Sequence, residues 1–71
     1  MNEIIKIWLA EMLEKEISAV KGAISNNQIW RAGCMTADDA QMYDENIASL
    51  EEYKQVLEEL ATQAEEGTLN V

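Results

Sequence analysis

Between Thr36 and Gly67 the apolar residues return every three or four positions, at Tyr43, Ile47, Leu50, Leu57, Ala61 and Ala64. That spacing is the period of one helix face, and Lys54 alone interrupts it. Around this seam the acids recur in heptad register. One row is Asp38, Glu45, Glu52, Glu59 and Glu66, and beside it runs Asp44, Glu51, Glu58 and Glu65. The segment therefore reads as a helical rod with one adhesive side and a coat of carboxylates.

A rod of this kind needs a partner, and the first half of the chain supplies one. Leu13, Ile17, Val20, Ile24 and Asn27 form a second seam of helical period. Asn2 is placed to cap this helix, and Glu3 lies in its first turn, where a negative charge suits the helix dipole. Gly33 suits a left-handed position that ends it. Thr36 followed by Asp39 resembles the capping box that begins the next helix. These signals predict helix one over about 3–32, a turn over 33–36, helix two over about 37–66 and a frayed tail over 67–71.

So short a turn makes the helices antiparallel, which predicts an all-α helical hairpin in a single domain spanning 1–71. A reversal near residue 35 sets Ile24 against Ile47, Val20 against Leu50, Leu13 against Leu57, Leu9 against Ala61 and Ile5 against Ala64. The same register sets Asn27 towards Tyr43. It also sets Glu16 towards Lys54, a partly buried ion pair expected to fix register more than to add stability.

A 71-residue chain buries only about 60% of the surface its unfolded form exposes, so it needs further stabilisation. A single cysteine, Cys34, excludes an internal disulfide, and the lack of histidine removes the common zinc ligand sets. Self-association remains. Near the N-terminus Ile4, Ile5, Trp8, Leu9 and Met12 spread around more of the helix than one neighbour can cover, which marks them as the self-association surface. Two hairpins so joined would make a dimeric four-helix bundle. Ala19, Gly22, Ala23 and Asn26 form a strip of small residues, either a helix-crossing point or simply a helix that tolerates a glycine.

The net charge of -9 lies wholly in the second half, where ten acids face Lys54 alone, while four acids balance four bases before residue 36. Phosphates would be repelled, so direct binding to nucleic acid or an anionic membrane is not expected. The neutral first helices are expected at the centre of the dimer, with the acidic helices outside. No stretch is long and apolar enough for a membrane span, and the opening residues lack a signal-peptide cleavage pattern. A cytoplasmic protein is expected, with its one thiol in a reducing compartment.

No histidine base, glycine-rich phosphate loop or nucleophile motif is present, so no catalytic residue, cofactor or metal site is assigned. The dicarboxylate metal centre that suits four-helix bundles needs inward-facing acids, whereas these lie outside the seam. The expected function is a small acidic, non-enzymatic protein, regulatory or accessory, that acts by self-association and protein–protein contact with a basic protein partner. Trp30, Arg31 and Met35 at the hairpin tip form a candidate partner patch.

An alternative is an inhibitor that mimics nucleic acid through the acidic face of Glu45, Glu52 and Glu59. Seven helical residues advance ~10.5 Å, close to three ~3.4 Å nucleotide steps, although any heptad pattern gives this match. A third reading is an oligomeric sponge for a small ligand held by Trp8, Lys21, Trp30 and Arg31.

Overall fold

A computed structural model describes residues 2–67, and the expected frayed tail beyond Gly67 lies outside the described residues. Two helices of 30 residues each, α1 (Glu3–Ala32) and α2 (Ala37–Glu66), pack against each other as a hairpin. The result is a rod 51 Å long and 16 by 13 Å in section.

The helix starts are set by side chains. Asn2 has an extended backbone, and its Oδ1 accepts a hydrogen bond from the Ile4 N–H at 2.8 Å. Thr36 is likewise extended, and its hydroxyl accepts from the Asp39 N–H at 3.2 Å. Each occupies one of the otherwise unpaired donors of a first helical turn.

The end of α1 differs from expectation. Gly33 has φ -91° and ψ 1°, not the left-handed conformation. The chain tightens instead, with the N–H groups of Gly33 and Cys34 donating to the carbonyls of Trp30 and Arg31, each at 3.1 Å. These short-range bonds occupy orphan carbonyls of the last turn, so a left-handed residue is not required. Gly67, after α2, does adopt it, at φ 73°.

The core is small. Leu13, Val20 and Ile24 of α1 and Leu57 and Ala64 of α2 are buried, and Leu9, Ile17, Ile47, Leu50, Leu60 and Ala61 pack against them. Among the described residues no large side chain is completely enclosed. Lys54, at the break in the α2 seam, is half-buried. Asn27 is buried in the α1 seam, where its Nδ2 donates to the Ala23 carbonyl at 2.7 Å. Across the hairpin its Oδ1 accepts from Asn46 at 3.5 Å, so its polar partner on α2 is Asn46 rather than Tyr43.

Glu16 and Lys54 do not form the expected ion pair. Glu16 Oε1 accepts instead from the hydroxyl of Tyr53 at 3.2 Å, while the ion pair found among the described residues joins Arg31 to Asp44. The cause is geometric. Tyr53 precedes the seam position and leans along the flank of α2, where its phenol reaches across to Glu16, and Lys54 occupies the seam itself.

Candidate functional site: the surfaces of the hairpin

One face of α1 is apolar and uncovered. Ile4, Ile5, Trp8 and Met12 are exposed at 56, 52, 63 and 67%. Leu9 departs from this group because it turns inward and packs on the core beside Leu13. The four exposed side chains follow from the number of partners available. α2 covers one stripe of α1, and at this end it supplies the small residues Ala61 and Ala64. A single neighbour of that width leaves the rest of a wide apolar surface in water.

At the opposite end, the tip brings Trp30, Arg31 and Met35 close in sequence but gives them different surroundings. Trp30 is half-exposed and its ring lies 6.2 Å from that of Tyr43, tilted by 49°. Met35 projects almost wholly into solvent. Arg31 Nε donates to Asp44 Oδ1 at 2.8 Å, and its NH2 group is 3.4 Å from the second carboxylate oxygen. That hydrogen bond, with the charge of Asp44, holds the guanidinium above its ordinary pKa. The one base of the tip is thus already paired. Cys34 is half-buried, with Sγ 3.4 Å from the Trp30 carbonyl.

The acidic face is exposed along α2. Glu45, Glu52 and Glu59 all reach solvent, and Glu45 accepts from Gln41 at 3.3 Å. Among the described residues no three acidic, cysteine or histidine side chains converge as a metal site would require. Two shallow depressions mark the surface, one lined by Gln55, Glu58, Glu59, Thr62 and Gln63, the other by Glu11, Glu14, Lys15 and Ser18. Trp8 and Trp30 stand near opposite ends of α1, roughly 33 Å apart at ~1.5 Å per residue, so Trp8, Lys21, Trp30 and Arg31 do not converge on one ligand within one hairpin.

Two residues outside the seams also join the helices. Tyr53 and Asn46 both sit beside the α2 seam, and each donates across to α1. Their signal was present in the spacing. They lie on the α2 flank between the seam and Met42, a strip where carboxylates give way to uncharged residues.

No helix among the described residues is long and apolar enough to cross a membrane. Comparison with protein-family models, curated proteins and solved structures finds no match.

Proposed function

We propose that the protein is a small, acidic, non-enzymatic interaction module that works as a homodimer of hairpins, a four-helix bundle, and contacts a basic protein partner. The observation that carries this reading is the uncovered apolar surface of Ile4, Ile5, Trp8 and Met12, each at least half-exposed on a chain whose own core is small. Burying such side chains stabilises association by roughly 25 cal/mol for each Å² of apolar surface removed from water. A second copy meets α1 without bringing the acidic rows of α2 together, so charge as well as area favours this arrangement. The single thiol without a disulfide partner suits a reducing, cytoplasmic setting.

Sedimentation equilibrium across protein concentration, at low and high salt, tests the assembly. The expected result is a dimer that tightens with salt as repulsion between the acidic helices is screened. A folded monomer at all concentrations would reject the homodimer and leave the apolar surface to a different chain. Within the dimer, the contact with a basic partner is assigned to the tip around Trp30 and Met35. Trp30→Ala should then abolish capture, whereas charge reversal at Glu45, Glu52 and Glu59 should only weaken it by removing long-range attraction to the basic partner. The opposite pattern would favour mimicry of nucleic acid, a reading motivated by the exposure of those three carboxylates.

A further inference from the structure

We draw no further inference here: the strongest candidate, the exposed patch of Trp30, Met35 and Met42 at the tip of the hairpin beside the acids Asp38 and Asp39, is an apolar surface for which nothing in the structure shows what covers it.

Discussion

The hydroxyl of Tyr53 in α2 donates to Glu16 Oε1 in α1 across 3.2 Å, tying the middle of one helix to the middle of the other. Partial desolvation and the neighbouring carboxylate raise the phenol pKa, because both disfavour the phenolate. A folded pKa above the unfolded one means that this contribution to stability is present below the ordinary tyrosine value of about 10 and is lost as pH rises through the raised folded value. Tyr53→Phe should therefore flatten the alkaline part of the stability curve relative to the wild type, measured as the urea midpoint from pH 8 to 11. Identical alkaline slopes would show that the bond is not maintained in solution.

Arg31 and Asp44 form a surface ion pair with both side chains about half-exposed. Water and salt weaken such a pair. Asp44→Asn should lower Tm by no more than a few degrees in dilute buffer and by nothing measurable in ~1 M salt. A salt-independent loss would point to the hydrogen-bond geometry rather than to charge.

Leu57 is buried in a core that contains few other buried side chains, so Leu57→Ala should cost about 2–5 kcal/mol in denaturant unfolding. Met35→Ala, at a side chain 97% exposed, should fall within about 0.5 kcal/mol of the wild type. A comparable loss at Met35 would mean that the tip is buried in the assembled protein.

Gly22 has nothing within 4 Å of the place a Cβ would occupy. Gly22→Ala should stabilise the hairpin by about 0.5–1 kcal/mol through helix propensity alone. If thermal stability falls instead, and falls with loss of dimer, a second helix approaches closely there.

Asn27 is the buried polar group of the seam and exchanges hydrogen bonds with Ala23 and Asn46. Asn27→Leu should leave stability unchanged or raise it, since Asn46 is exposed and can turn to water. The expected cost is uniqueness, seen as broader amide signals or mixed oligomers, because the polar pair disfavours slipped registers.

The hairpin was legible because two seams of helical period, each with its own cap, face each other across a short turn. Asn2 and Thr36 announce their helices by residue type, and the half-buried Lys54 follows from its place in the α2 seam. Partners on the flanks were harder to read. A seam residue has one direction to face, whereas a long side chain beside the seam reaches any of several neighbours. Thus residue number matches Glu16 with Lys54, while the phenol of Tyr53, one position earlier, meets it. Asn27 met Asn46 rather than Tyr43 for the same reason. Leu9, grouped with the outer surface but also set against Ala61 by the register, packs on the core together with Ala61. Which surface meets another molecule is weakly encoded, since an apolar residue carries no mark of whether its cover comes from its own chain.

Gly33 reaches the turn in an ordinary backbone conformation, and a Cβ there would meet only the Trp30 carbonyl, at 3.6 Å. The elbow therefore does not depend on a glycine at that position. The hydroxyl of Thr36 caps the start of α2, so the bend should tolerate replacement of Gly33 better than loss of that cap. Homologous hairpins could replace the glycine freely and still turn, provided that a capping side chain stands three residues further along.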